Sequence, residues 1–293
     1  MMHAPLFTGV CTALPTPFRE GGVDTAALAG MVRRQIAAGI PALLACGTTG
    51  EASTLEEAEW AQALQCVLEA SRGQALVIAG TGTNNLRHTA ARAQTAAHLG
   101  ADAQLVVTPY YNKTTQRGLV DYYFRVAEAS ELPILLYNVP GRTGMHLLPD
   151  TAAQLAEHPR IIGIKEAGGS LNQMADLLAL HSLPVYCGSD AINAPALRLG
   201  AAGVISVLSN LLPGKVARLC RYAQAGRFRE ADALQAGMQP LTAALFSETS
   251  PAPLKAALAL QGCCRADVRS PLVTVQPETL ERLRTLLPTE ENP

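Results

Sequence analysis

Ile161-Ile162-Gly163-Ile164-Lys165 is a short apolar run that ends in a charged side chain. Short runs that are apolar at nearly every position are typical of parallel strands that are buried on both faces. Other segments of the chain share this character. The predicted strands are residues 9–13, 42–46, 76–80, 104–108, 134–138, 161–165, 185–188 and 203–207.

Helical patterns separate these strands. Residues 55–70 follow a predicted capping box of Thr54 and Glu57, and residues 85–99 follow a predicted Asn84 cap. Eight alternating units predict an α/β fold, a (β/α)8 TIM barrel, although a doubly wound open sheet gives a similar local pattern.

More helices are predicted near the C-terminus than a barrel needs. They cover residues 213–225, 229–246, 254–260 and 278–287, and the barrel requires only one of them. We therefore predict a barrel catalytic domain over residues 1–225 and a C-terminal helical extension over residues 226–293.

The composition favours a globular protein with a small-molecule substrate. Hydrophobic residues make up 48% of the 293 positions and charged residues 16%, which is not the signature of a disordered chain. The formal net charge is -1, and acidic and basic residues are distributed along the whole sequence. This pattern does not indicate nucleic acid or an anionic membrane as a partner. The proline-interrupted N-terminal segment lacks the pattern of a signal peptide or a membrane span, so we expect a cytoplasmic protein.

The histidines and cysteines do not have the spacing of metal ligands. The six histidines form no H-x-x-x-H or H-E-x-x-H motif, and the seven cysteines form no C-x-x-C pair. We expect no metal, and we expect reduced, mostly buried thiols.

Polar groups follow several predicted strands, at the end of a barrel where active sites lie. The segments are Gly47-Thr48-Thr49-Gly50-Glu51, Thr108-Pro109-Tyr110-Tyr111-Asn112, Tyr137-Asn138-Val139-Pro140-Gly141-Arg142 and Lys165-Glu166. These segments supply the candidate site residues.

Lys165 stands out among the four lysines because its apolar strand would carry the amine into the mouth of the barrel. Burial disfavours the ammonium, and a neutral amine attacks a ketone to form an imine. The alternative is a structural ion pair with Glu166 or another carboxylate. Lys255 is expected to extend from an Ala/Leu helix to water.

The other candidates also have two interpretations. Hydroxyls such as that of Tyr137 could shuttle protons, or the rings could simply pack at the rim. Thr48 and Thr49 could hold a carboxylate or form a plain turn. Arg142, after a Pro-Gly turn, could bind a second carboxylate through two hydrogen bonds or be a surface residue.

Taken in order, these motifs closely resemble those of the dihydrodipicolinate synthase family, and the resemblance extends from Thr8 to the Pro-Ala-Pro-Leu-Lys segment ending at Lys255. It implies a TIM barrel with C-terminal helices, usually a homotetramer, and no cofactor. It also implies condensation of pyruvate with L-aspartate 4-semialdehyde in lysine and diaminopimelate biosynthesis.

The resemblance also implies individual roles. Tyr111 would reach into the site of a neighbouring subunit. One small departure is Gly188-Ser189-Asp190, where Gly-Asp-Asp is expected, and it implies no catalytic consequence. The implied roles are an imine on Lys165, a proton relay of Thr48, Tyr137 and Tyr111, a pyruvate carboxylate on Thr49, a semialdehyde carboxylate on Arg142, and a pocket lined by the backbone of Gly188 and Ile205.

Two other functions are compatible with such a scaffold. A sister aldolase, such as N-acetylneuraminate lyase or a 2-keto-3-deoxy-sugar-acid aldolase, would share the lysine and the tyrosine but generally lack Arg142. A non-catalytic keto-acid-binding barrel would not need both a buried lysine and a proton relay.

The resemblance finally implies a change in regulation. Members inhibited by lysine bind it beside the helix that follows the Gly47 to Glu51 segment. This chain keeps Asn84 and Tyr110 there, but the other positions differ, so we predict weak or absent inhibition by L-lysine. The differing residues are Ala52, Glu57, Trp60 and His88, where Ser, His, His and Glu are expected.

Overall fold

Parallel strands close into a barrel in the computed structural model of the chain, which describes residues 3–287. The first barrel strand pairs with both the second and the last, through Cys11 opposite Ala42 and Cys11 opposite Ile205. This double pairing confirms the TIM barrel and rules out an open sheet. Within the described residues, the barrel strands are β1 Gly9–Ala13, β4 Ala42–Ala45, β5 Leu76–Gly80, β6 Ala103–Val107, β7 Ile134–Asn138, β8 Ile161–Glu166, β9 Val185–Cys187 and β10 Gly203–Ser206, and β2 Phe18–Arg19 and β3 Gly22–Val23 form a separate hairpin.

Helices surround the barrel and continue beyond it. Over residues 3–287 they are α1 Thr25–Ala37, α2 Glu57–Ser71, α3 Leu86–Leu99, α4 Gln116–Ala129, α5 Pro140–Thr143, α6 Pro149–Leu155, α7 Leu171–Ala179, α8 Asn193–Leu199, α9 Pro213–Gln224, α10 Phe228–Leu245, α11 Ala252–Leu260 and α12 Pro277–Leu286. The predicted boundary between the barrel domain and the C-terminal extension, at residue 225, falls between α9 and α10 and stays a prediction. Residues 1–2 and 288–293 of the two predicted domains lie outside the described residues. None of the helices in this range is long and apolar enough to cross a membrane.

The predicted start of α2 is wrong. Glu56 is the N-cap, and its capping box is completed by the side chain of Glu59, which accepts a hydrogen bond from the Glu56 N–H. The Thr54 hydroxyl instead donates to the Glu51 carbonyl oxygen within the preceding loop. Asn85, not Asn84, caps α3 by accepting a hydrogen bond from the Arg87 N–H at 3.0 Å. A cap depends on local backbone angles, which the spacing of polar residues does not fix.

Two hydrophobic cores result from the closed sheet. One lies between the strands and the helices, and the other fills the barrel interior with side chains that include Leu44, Leu135 and Tyr186. Phe7 stacks on the Tyr186 ring with centroids 4.4 Å apart, and the Tyr186 hydroxyl donates to the Phe7 carbonyl oxygen. Because the barrel interior is packed with side chains, a substrate can bind only outside it. In barrels of this kind the active site lies at the carboxyl ends of the strands.

Candidate active site

A cavity of about 720 Å³ opens at the carboxyl ends of the strands. Six of the eight predicted site residues line it, and they come from loops that are far apart in the sequence. These residues are Thr48, Thr49, Tyr137, Arg142, Lys165 and Gly188. An adjoining cavity of about 260 Å³ shares Thr48, Tyr137 and Arg142 with it.

Lys165 lies on β8 with only 6% of its surface exposed. It is opposite Tyr137 on β7, and its Nζ lies 4.4 Å from the centroid of the Tyr137 ring. The amine therefore meets the cavity beside a ring whose hydroxyl can exchange protons.

Glu166 does not pair with Lys165, because consecutive side chains of a strand point to opposite faces. Its carboxylate accepts hydrogen bonds from Asn138 Nδ2 at 2.7 Å and from the Gly168 N–H at 2.6 Å. Burial raises the pKa of the Glu166 carboxyl, and those hydrogen bonds oppose the shift. The structural ion pair considered for Lys165 is thus not formed with its neighbour.

Thr48 and Thr49 lie in a tight turn that follows β4. Cys46, at the start of the turn, has a positive φ of 53°, which is costly for a residue with a Cβ. Its carbonyl oxygen lies against Gly80, where an added Cβ would be 2.2 Å away, so only glycine fits there. The turn exposes Thr48 at the cavity and buries Thr49, which brings hydroxyl and backbone donors to a place where a carboxylate could bind.

Arg142 is held at the cavity rim by a short helix and by the C-terminal extension. Pro140 occupies the first turn of α5, where its fixed φ suits the start of a helix. The Arg142 guanidinium donates from Nη2 to the Ser250 carbonyl oxygen at 3.1 Å. Its other N–H groups remain available for an anion.

The loops after β9 and β10 are joined by a buried carboxylate. Asp190 accepts hydrogen bonds from the N–H groups of Val207 and Leu208 at 2.8 and 2.9 Å, and from the Ser206 hydroxyl at 2.6 Å. This contact fixes the loop that carries Gly188 against the strand that carries Ile205.

Gly188 leaves the space that the Lys165 side chain occupies. A Cβ at position 188 would lie 2.8 Å from Lys165 Cε and 2.7 Å from Ala167 Cβ. We therefore expect Gly188→Ala to displace the amine and to slow imine formation with pyruvate about tenfold, since overpacking forces side chains from their preferred positions. The rate of adduct formation under borohydride measures this.

Gly237→Ala is the matched control, because a Cβ there meets nothing within 4 Å. This variant should trap pyruvate at the rate of the unmodified protein. Equal trapping rates for Gly188→Ala and Gly237→Ala would contradict the packing argument.

The structure does not bring Tyr111 and Ile205 into the cavity lining. Tyr111 has a positive φ of 68° and is 92% exposed. Ile205 is buried in the barrel interior, below the cavity. Their predicted roles stay predictions.

The C-terminal extension supplies residues that the sequence analysis missed. Ser250 lines the cavity, as do Gln239, Thr242 and Phe246 of the α10 region. The α10 residues belong to one stretch of helix. Their spacing of three and four residues is that of one helix face, but the sequence gives no sign that this face meets the barrel mouth.

The prediction for Lys255 is wrong. Its side chain is completely buried and forms an ion pair with Glu51 instead of extending to water. The available signal was the composition of α11, Ala-Pro-Leu-Lys-Ala-Ala-Leu-Ala-Leu, which is apolar on all sides. A helix of that kind is buried, so its one charge needs a partner.

The cysteines are free thiols, as predicted. Burial raises the pKa of both Cys11 and Cys187 to about 12, although the positive charge of Lys165 opposes the shift. These two thiols near the site are therefore not thiolate nucleophiles. Across residues 3–287, no group of three or more His, Cys, Asp and Glu is arranged to hold a metal ion.

Comparison with known proteins identifies the family. The profile of the Dihydrodipicolinate synthetase family matches residues 6–290. The chain belongs to this family. It is 44% identical to a 4-hydroxy-tetrahydrodipicolinate synthase of Geotalea daltonii, over 96% of this chain and 98% of the relative.

Solved dihydrodipicolinate synthases share the fold. The crystal structure from Thermotoga maritima superposes with a TM-score of 0.95 at 40% identity, covering 97% of this chain and 98% of that one. The structure from Acinetobacter baumannii, a complex with pyruvate, has a TM-score of 0.94 at 41% identity and covers 96% and 98% of the two chains. The predicted family, fold class and enzyme class are confirmed.

Proposed function

We propose that the protein condenses pyruvate with L-aspartate 4-semialdehyde to form 4-hydroxy-tetrahydrodipicolinate, a step of lysine and diaminopimelate biosynthesis. The observation that carries this proposal is a buried amine, Lys165, that shares one cavity with Thr48, Tyr137 and Arg142. Membership in the dihydrodipicolinate synthetase family supports it.

The first step is imine formation. The Lys165 nitrogen bonds to the keto carbon of pyruvate, and the carbonyl oxygen leaves as water with the two protons of the amine. Tyr137, whose ring lies against the amine, and Thr48 at the cavity surface are positioned to carry these protons. Thr49 holds the pyruvate carboxylate in this proposal.

The second step forms the carbon–carbon bond. The imine nitrogen takes up a proton, and loss of a proton from the methyl carbon of the resulting iminium gives an enamine. The electron pair of the enamine attacks the aldehyde carbon of the semialdehyde, which restores the iminium. The aldehyde oxygen takes a proton and becomes the hydroxyl group. The amino group of the same substrate then adds to the imine carbon and displaces Lys165, which closes the ring and frees the enzyme.

Arg142 binds the carboxylate of the second substrate in this scheme. A sister aldolase acting on a neutral, hydroxylated aldehyde would gain nothing from a guanidinium at the rim. The comparisons do not favour that alternative either, since the relatives reported above are named as synthases of the same reaction.

A coupled assay tests the function. We expect turnover with pyruvate and L-aspartate 4-semialdehyde and none with pyruvate and D-glyceraldehyde. A preference for the neutral aldehyde would favour a sister aldolase, and binding of pyruvate without turnover of either aldehyde would favour a non-catalytic barrel.

We also infer a cytoplasmic homotetramer. The exposed Tyr111, held in a strained backbone conformation, would complete the proton relay of a neighbouring subunit. Because Tyr111 does not line the cavity of its own chain, this proposal has it take part in the reaction across an interface.

Inhibition by L-lysine is expected to be weak or absent. The Glu57 carboxylate accepts hydrogen bonds from Arg92 Nε and Nη2, the shortest of them 2.8 Å. Trp60 is buried and donates to the Gly80 carbonyl oxygen, with the Arg92 guanidinium 5.5 Å from its ring. The ammonium of an L-lysine molecule here would meet the Arg92 cation, and the Glu57 carboxylate nearby is already paired with Arg92. An effector that binds weakly shifts the equilibrium between conformational states very little.

Titration of the activity with L-lysine measures this. We expect no saturable inhibition up to millimolar concentrations, where about 4 kcal/mol of binding free energy would suffice for half occupancy. Clear saturation at submillimolar lysine would show that these residues form a different effector site.

A further inference from the structure

A buried ion pair connects the Thr48 turn to the C-terminal extension. Glu51 ends the turn, Lys255 lies in α11, and their side chains are 1% and 0% exposed. The second Glu51 oxygen accepts from the Arg269 N–H at 2.9 Å, and Lys255 Nζ also donates to the Asp267 carbonyl oxygen at 2.8 Å. Both charges are therefore held by more than one partner.

Stability alone is a poor explanation of this pair. Removing two charges from water is costly, and apolar residues of similar volume often replace a buried pair without loss of stability. Burial lowers the pKa of Lys255, and the Glu51 carboxylate opposes that shift. An arrangement of this kind fixes geometry more clearly than it stabilises the fold.

The geometry that it fixes is that of the proposed proton relay. Glu51 has a positive φ of 53°, and its N–H donates to the Thr48 carbonyl oxygen at 3.1 Å. Because this conformation is unfavourable for a residue with a side chain, it needs an anchor. The buried carboxylate is that anchor, and a movement of Glu51 would move Thr48.

Aromatic and cationic groups close the cluster on its outer side. Lys255 Nζ lies 3.9 Å from the centroid of the Phe18 ring, and the Arg269 guanidinium carbon lies 4.3 Å from the same centroid. Arg269 also pairs with Glu59 and donates to the Thr54 carbonyl oxygen at 3.0 Å. These contacts exclude water from the ion pair, which strengthens it.

We propose that Glu51 and Lys255 are positioning residues of the reaction, through which the C-terminal extension sets the place of Thr48. Ser250, five positions before Lys255, supplies the carbonyl oxygen that receives the Arg142 hydrogen bond. One segment of the extension thus holds groups proposed to act on both substrates. This inference rests on the proposed function.

The test uses the full chain with Glu51→Gln, Lys255→Met and both together. Each single variant leaves one partner buried without its match, so its Tm should fall. The double variant should recover most of that loss because no unpaired charge remains. Its kcat should nevertheless stay about tenfold below that of the unmodified protein, since small misplacements of catalytic groups slow the chemistry.

The matched control is Arg198→Gln with Asp232→Asn. This ion pair also joins a barrel helix, α8, to the extension helix α10, but its side chains are 46% and 48% exposed and lie outside the cavity lining. Its kcat should equal that of the unmodified protein within about twofold, as for most exposed pairs.

The outcomes separate the two proposals. If the unmodified protein forms no borohydride-stable adduct with pyruvate, the proposed function fails. If it does, and the folded double variant has an unchanged kcat, only the positioning role is overturned. Should the double variant not fold, Glu51→Asp decides instead, because it keeps both charges and only shortens the carboxylate arm: a kcat about threefold lower in the folded variant supports the positioning role, and an unchanged kcat overturns it.

Discussion

Lys165→Met is expected to lower kcat by roughly 10⁴-fold or more, because it removes the amine that carries the substrate covalently in the proposed mechanism. Methionine keeps the length and the apolar stem of the side chain, so the barrel should fold. Borohydride treatment of the unmodified protein with pyruvate should leave a stable adduct on Lys165, located by mass spectrometry of the digest.

Lys215→Met is the matched control, since Lys215 lies exposed on α9, outside the cavity lining. It should keep full activity and the same adduct. An unmodified Lys165 under conditions where the protein turns over would refute the imine mechanism, whatever the activity of the variants.

The barrel could be predicted because its strands are short apolar runs between helical patterns. Three predicted strands, including Gly9–Ala13 and Ile134–Asn138, coincide with the observed bounds at both ends. Burial on both faces imposes this composition on parallel strands, so the signal is local in the sequence. Closure of the sheet is not local in the sequence, since an open sheet has a similar pattern, and it is decided by the pairing of β1 with both β4 and β10.

The polar residues after the strands were predictable for the same reason. Parallel strands deliver their carboxyl ends to one rim, so the sequence alone predicts that Thr48, Tyr137 and Lys165 lie close together. The position of Arg142 at the same rim follows from its place directly after β7.

Contacts between distant segments could not be predicted in this way. Arg142 and Ser250 are 108 positions apart, and Glu51 and Lys255 are 204 apart. The sequence around one residue of such a pair does not indicate which distant residue it contacts. The contact depends on how the C-terminal extension packs over the barrel mouth. A lysine on a helix is most often exposed, whereas Lys255 lies on a buried helix, so its local sequence predicts the wrong environment.

Arg142→Ala is expected to lower kcat/KM for the semialdehyde by about 30- to 1000-fold, which corresponds to roughly 2 to 4 kcal/mol of transition-state binding. The guanidinium is the group proposed to form charge-assisted hydrogen bonds with the carboxylate of the second substrate. Pyruvate lies at Lys165 and Thr49 in the proposal, so adduct formation with pyruvate under borohydride should continue at its normal rate.

Arg142→Lys separates the contribution of the planar guanidinium geometry from that of the positive charge. An ammonium keeps the charge but cannot donate two parallel hydrogen bonds, so its kcat/KM should fall between those of the alanine variant and the unmodified protein. Both variants lose the contact with the Ser250 carbonyl oxygen in its present form, which makes the lysine variant a control for that loss. An unchanged kcat/KM for the semialdehyde in Arg142→Ala would show that Arg142 does not bind the second substrate. If pyruvate trapping falls to the same extent as kcat/KM, Arg142 binds pyruvate instead of the semialdehyde.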